Sequence, residues 1–125
     1  MSGFTDLEKA ALSAICDARP GMARQLRSLL ATMQLAEREN TGHGFYTCFD
    51  VDRAQPPLDW STRTLESPTA EVAVDGRTLL MGFILWLEDG FPTCLEGFQH
   101  GTPEGEDIDL KPKDLAALVW TRLAD

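Results

Sequence analysis

Glu96 is the residue in this chain with the clearest potential for chemistry. It stands in Leu95-Glu96-Gly97-Phe98, a few residues after the apolar run Leu79 to Leu87. A carboxylate among bulky apolar side chains either finds a partner or rises in pKa, and a carboxyl group that stays protonated near neutral pH is a general acid. That role needs a polar neighbour, and His43, His100 and Tyr46 are the candidates. His43 lies between Gly42 and Gly44, where a ring nitrogen could reach a substrate, and His100 follows the Glu96 segment directly. The plainer reading places Glu96 on a partly solvated sheet face and both histidines in exposed turns.

Other chemistries find less support. The three cysteines, Cys16, Cys48 and Cys94, are an odd number without paired spacing, and they read as reduced thiols of a cytoplasmic protein. Zinc would want pairs such as C-x-x-C or H-x-x-x-H, and Cys16, His43, Cys48, Cys94 and His100 offer neither. The acidic run Glu104 to Asp109 lacks the ligand order of a calcium-binding hand. Gly42 and Gly44 supply only G-x-G behind a helix, the reverse of the strand-then-helix setting of a dinucleotide site. No metal and no cofactor are expected.

Charge points to a class of partner. Twenty acidic against eleven basic residues give a formal charge of -9, which repels phosphate backbones and anionic lipid and so excludes nucleic acid and membrane surfaces as natural partners. The longest apolar run is also far short of the roughly 20 residues that span a bilayer. From Glu88 to Asp109 there is no lysine or arginine, so Glu104, Glu106, Asp107 and Asp109 read either as a solvated loop or as an acidic docking surface for a basic protein. Trp60, in a proline-rich stretch, is an exposed aromatic anchor for the same partner, or else folds back over a sheet edge. A free sheet edge makes a homodimer a further expectation.

These residues must be positioned by a single α+β domain over 1–125. Thr5-Asp6-Leu7-Glu8 is a capping box that opens a helix, with Leu7, Ala11, Ala14, Ile15 and Ala18 on its apolar stripe until Arg19-Pro20-Gly21. Met22, Leu26, Leu29, Leu30 and Met33 predict a second, antiparallel helix reaching about Arg38. Asn40 to Gly44 is turn chemistry before a first strand, Phe45 to Val51, and 52–68 reads as an irregular functional loop. Glu71 to Val74, the long Leu79 segment and Phe91 to Phe98 complete a four-stranded antiparallel meander, joined by the turn pairs Asp75-Gly76 and Asp89-Gly90. A tight turn at Asp89-Gly90 pairs Phe83 with Glu96, whereas one extra residue puts Glu96 on a face with Ile84 and Trp86. Pro112 then starts a closing helix with Leu115, Leu118, Val119 and Leu123 packed on the sheet.

The segment Arg38 to Thr47, read as R-x-x-T-G-x-G-F-[FY]-T, together with Asp89-Gly90 and Leu95-Glu96-Gly97-Phe98, resembles a family of small uncharacterised bacterial proteins. The resemblance covers most of the chain up to about Gly101 and implies two N-terminal helices entering a sheet. This chain departs from the family's Trp-Pro after the L-E-G segment, having Thr102-Pro103-Glu104-Gly105 there. The resemblance implies no activity, cofactor or catalytic set. Two functional expectations result. One is a small non-enzymatic binding protein with an acidic docking surface, in an inhibitory or immunity-like role. The alternative is a small-ligand binder or hydrolase-like enzyme with a pocket around Glu96 and a histidine.

Overall fold

The computed structural model describes residues 3–60 and 62–124. Helices α1 (Asp6–Asp17) and α2 (Ala23–Leu30) precede strands β1 (Gln34–Asn40), β2 (Gly44–Asp50), β3 (Thr64–Glu66), β4 (Ala70–Val74), β5 (Arg77–Glu88), β6 (Phe91–Gly101) and β7 (Val119–Leu123). All the strand pairings are antiparallel, in the spatial order β1-β2-β6-β5-β4-β7. The length of β5 lets one of its edges hold two partners in succession, β4 along 77–81 and β3 along 84–86.

The α+β class with a large antiparallel sheet follows the sequence, while three elements depart from it. The sheet has seven strands and not four, and it is not a meander, because β2 lies beside β6. The second helix ends at Leu30, with Thr32 Oγ1 donating to the Leu29 carbonyl, and the polar stretch Gln34–Asn40 becomes edge strand β1. The C-terminal segment is no helix. A single 3₁₀ turn over Leu115–Ala117 leads into β7, which supplies the hydrogen-bonding partner that the outer edge of β4 would otherwise lack. As a strand it places Trp120 against Phe83 at 5.7 Å between ring centroids and leaves Val119 and Leu123 exposed.

Local chemistry explains the joints. Thr5 and Glu8 form the expected capping box. Asp75 and Gly76, like Asp89 and Gly90, all take positive φ, as a tight hairpin between right-twisted strands requires. Beyond the Asp89-Gly90 turn Leu87 faces Pro92, but Trp86 already faces Cys94, so Thr93 is an extra residue bulged out of β6. Pro92 has no N–H with which to continue the ladder, and a bulge is where a sheet accommodates that loss. The bulge selects the second of the two registers: Glu96 faces Ile84 and shares their side of the sheet with Trp86.

Both helices lie on the other side. Leu7, Ala11, Ile15, Leu26 and Leu29 pack there on Phe45, Leu65, Val72, Met81, Phe83, Leu85 and Leu95, all nearly inaccessible to solvent. The segment after β6 closes one end of this core with Ile108 and Leu110. It is held by the buried Gln99 amide, which donates to the Ile108 carbonyl and accepts from the Ile108 N–H.

Candidate functional site

The Arg38–Thr47 segment is the β1–β2 hairpin, and most of its marked residues are consumed by the fold. Arg38 and Thr47 are cross-strand partners on the helix side of the sheet. Both turn to Glu8, a carboxylate almost wholly buried at the start of α1. Arg38 reaches it in a fork, Nε to Oε2 at 2.8 Å and Nη2 to Oε1 at 2.7 Å, and the Thr47 hydroxyl donates to the same carboxylate. Glu8 also accepts from the Thr5 N–H at 2.7 Å. One buried acid therefore joins the N-terminus of α1 to two strands. At the turn Thr41 Oγ1 accepts from the Gly44 N–H, and Gly44 lies so close to β6 that a Cβ there would stand 1.9 Å from the Gly97 carbonyl oxygen.

What the fold does not consume lies on the opposite side, which neither helix covers. Directly paired residues share a face, so the register spells out rows of side chains across the sheet. One row runs Glu39, Tyr46, Glu96, Ile84, Glu66 from β1 to β3, and the next runs Glu37, Cys48, Cys94, Trp86, Thr64. Tyr46 and Trp86 are each 37 % exposed, unusual for rings that size. Carboxylates occupy every second strand of the first row, about 10 Å apart at the inter-strand spacing of a sheet. These two rows contain no lysine or arginine.

Glu96 is the hub of this face. Its Oε1 accepts the Trp86 indole N–H at 3.0 Å. On its other side lies Tyr46, whose phenol is pushed above the ordinary tyrosine value, first by the negative charge of Glu96 and then by desolvation. Next along β6, Phe98 lies across Gly82, where a Cβ would come within 2.6 Å of the ring, and beyond it His100 meets Phe98 edge-on at 5.2 Å. Phe98 thus separates His100 from Glu96, which are about 13 Å apart along the strand. His43 sits exposed in the β1–β2 turn. Glu96 is brought to an aromatic pair and not to a histidine.

Cys48 and Cys94 face each other on β2 and β6 and are joined in a disulfide. This corrects the reading of three reduced thiols. Their spacing in sequence carries no sign of pairing, because the register of two strands far apart in the chain is what aligns them. Cys16 is free and buried between the helices, and burial pushes its thiol pKa up.

The remaining candidates lie at separate places. Trp60 is 39 % exposed at the β3 edge, its indole N–H donating to the Thr64 carbonyl and the Arg19 guanidinium over its ring. The acidic segment lies near the other end of β5: Glu106 pairs with Arg77, Asp109 accepts from the Lys111 N–H, Asp107 lies near Gly101 and Glu104 is exposed. Arg77 and Trp86 are about 30 Å apart along β5, so Trp60 and the acidic loop do not form one surface. Among the described residues no three His, Cys, Asp or Glu cluster as metal ligands, and no helix is long and apolar enough to cross a membrane.

Of the concavities in the described structure, two adjoin cysteines. A 260 Å³ cleft between the helices is lined mainly by Leu12, Cys16, Leu30 and Met33, with Lys9 and Arg27 also on its wall. A groove of 300 Å³ on the uncovered face is lined by Glu37, Glu39, Tyr46 and Cys48. Comparison of the chain with protein-family models, with curated proteins and with solved structures finds no match.

Proposed function

We propose that this is a small non-enzymatic binding protein whose uncovered sheet face docks a basic protein partner. The observation that carries the reading is the row Glu39, Tyr46, Glu96, Ile84, Glu66 beside Trp86. It combines aromatic and aliphatic anchors with carboxylates spaced to receive lysine or arginine side chains. Anchors of that kind dominate binding energy, while the surrounding charges set partner choice and association rate. A rigid sheet presents them already in place, so little ordering is needed on binding. The acidic segment of Glu104, Glu106, Asp107 and Asp109 extends the same charge preference at one end of the sheet, Trp60 adds an exposed aromatic anchor at the other, and an inhibitory or immunity-like role suits a face of this kind. Catalysis at Glu96 has less support, since its neighbours are an indole and a phenol.

The test uses a peptide of alternating lysine and leucine as probe, followed by the tryptophan fluorescence change that is lost in Trp86→Phe. Binding should weaken about tenfold between low and physiological salt, and about tenfold again in a Glu39→Gln, Glu96→Gln variant. Equal affinity of the variant, or equal binding of an alternating glutamate and leucine peptide, overturns the reading.

A further inference from the structure

We infer that Cys48–Cys94 is a redox-active disulfide that exchanges with thiols in the folded protein, and that the sulfur under attack is that of Cys48. The bond lies on the uncovered face, with both cysteines half-buried and away from the helix core. Its two residues are directly opposed, so the bond spans from β2 to β6 across the strands. Thiol–disulfide exchange needs the incoming thiolate to approach along the S–S axis, behind the sulfur it attacks. Behind Cys94 stands Trp86, its cross-strand neighbour on β5, tied down by its hydrogen bond to Glu96. Behind Cys48, on the β1 side, lies the groove lined by Glu37, Glu39, Tyr46 and Cys48. The open line of attack therefore leads to Cys48, and the Cys94 sulfur is the one expelled.

The reaction balances with a dithiol reductant. Its thiolate bonds to Cys48 Sγ, the bond to Cys94 Sγ breaks, and Cys94 leaves as a thiolate that takes up a proton. The reductant's second thiol then displaces Cys48, so two protein thiols form and the reductant ends as a disulfide. Backbone pairs also join β2 to β6 from Gly44–Phe98 to Thr47–Leu95, and β6 to β5 along its length. The carboxylates of Glu37 and Glu39 in the groove disfavour anionic reductants, which makes the favoured class thiols whose remaining charge is neutral or positive. The inference does not depend on what the face binds.

The experiment takes the full chain, oxidised, in native buffer. Neutral dithiothreitol should raise the accessible thiol count by two, with Cys16 staying silent until denaturant is added, and should raise Trp86 fluorescence, a change absent from Trp86→Phe. Monothiols then separate charge and site. Cysteamine should react about tenfold faster than mercaptoethanesulfonate at equal thiolate concentration and low salt, and the ratio should shrink as salt is added. Acid-quenched peptide mapping should find the mixed disulfide on Cys48. Reduction only after denaturation, failure of the folded dithiol to reoxidise, or adducts mainly on Cys94 each overturn the inference. Glu37→Gln with Glu39→Gln is the second check: the two monothiol rates should converge, and an unchanged ratio refutes the role given to the groove.

Discussion

At the scale of single residues, two glutamates that each follow a leucine have opposite fates. Glu8 reads as a helix cap and is that, but it is also the buried acceptor for Arg38 and Thr47. Truncating one member of a buried ion pair strands the other without a partner. Glu8→Ala should therefore cost about 3 kcal/mol in denaturant unfolding, much more than loss of a cap alone, which is about 1 kcal/mol. Glu96 faces the other way and acts on Tyr46. Because the Glu96 charge raises the phenol's pKa, Glu96→Gln should lower the tyrosinate titration midpoint, read from ultraviolet absorbance. The folded state favours the neutral phenol, so its small stabilising contribution is present below the unfolded value of 10.0 and is lost as pH rises through the higher folded value. Glu8 lies in a sequence pattern that spells out its cap. Nothing local announces its bond to Arg38, thirty residues away.

At the scale of elements, legibility follows how local the deciding interaction is. The hairpin turns Asp75-Gly76 and Asp89-Gly90 and strands β2, β4, β5 and β6 carry their own signals, positive-φ residues and β-branched or aromatic runs. Strand β1 carries none, since its inward residues are Leu35, Arg38 and Asn40 and its pairing is interrupted by a bulge between Leu35 and Glu37. Strand β7 has apolar spacing that suits a helix equally well, and only the unpaired edge of β4 decides for a strand. The contact of β2 with β6 rests on two glycines. Gly44→Ala would force a methyl group into the Gly97 backbone, where neither side can yield, whereas Gly21 has nothing within 4 Å of an added Cβ. Gly44→Ala should lose about 3 kcal/mol or more and Gly21→Ala less than about 1 kcal/mol, by urea titration. Equal losses would mean that the close approach is not what holds the strands together.

At the scale of the whole molecule, a formal charge of -9 sits on 125 residues. The Glu39–Tyr46–Glu96–Ile84–Glu66 row gathers three acids on one face, while most of the salt bridges lie elsewhere: Arg27 with Asp17, Arg77 with Glu106, and Lys113 with Asp75. Self-repulsion of this kind weakens the compact state and is screened by salt. Thermal unfolding should therefore move up by a few degrees from about 0.02 M to about 0.5 M sodium chloride. The Glu39→Gln, Glu96→Gln variant should show a smaller rise if that row contributes to the repulsion. A flat response in both proteins would show that the acids are already far enough apart to be screened by water.

The order of residues alone determined the class of fold, the capped first helix, the two tight turns, the central strands and the acidic balance, because each of these rests on neighbours within a few positions. It also narrowed the orientation of Glu96 to two registers. Only the tertiary structure chose between them, through the Thr93 bulge. The same long-range pairing joined Cys48 to Cys94, gathered Tyr46, Glu96 and Trp86 on one uncovered face, and parted Trp60 from the acidic loop. Those outcomes depend on which strands lie side by side, a choice made by burying a shared core and satisfying open sheet edges, and no short stretch of chain encodes it.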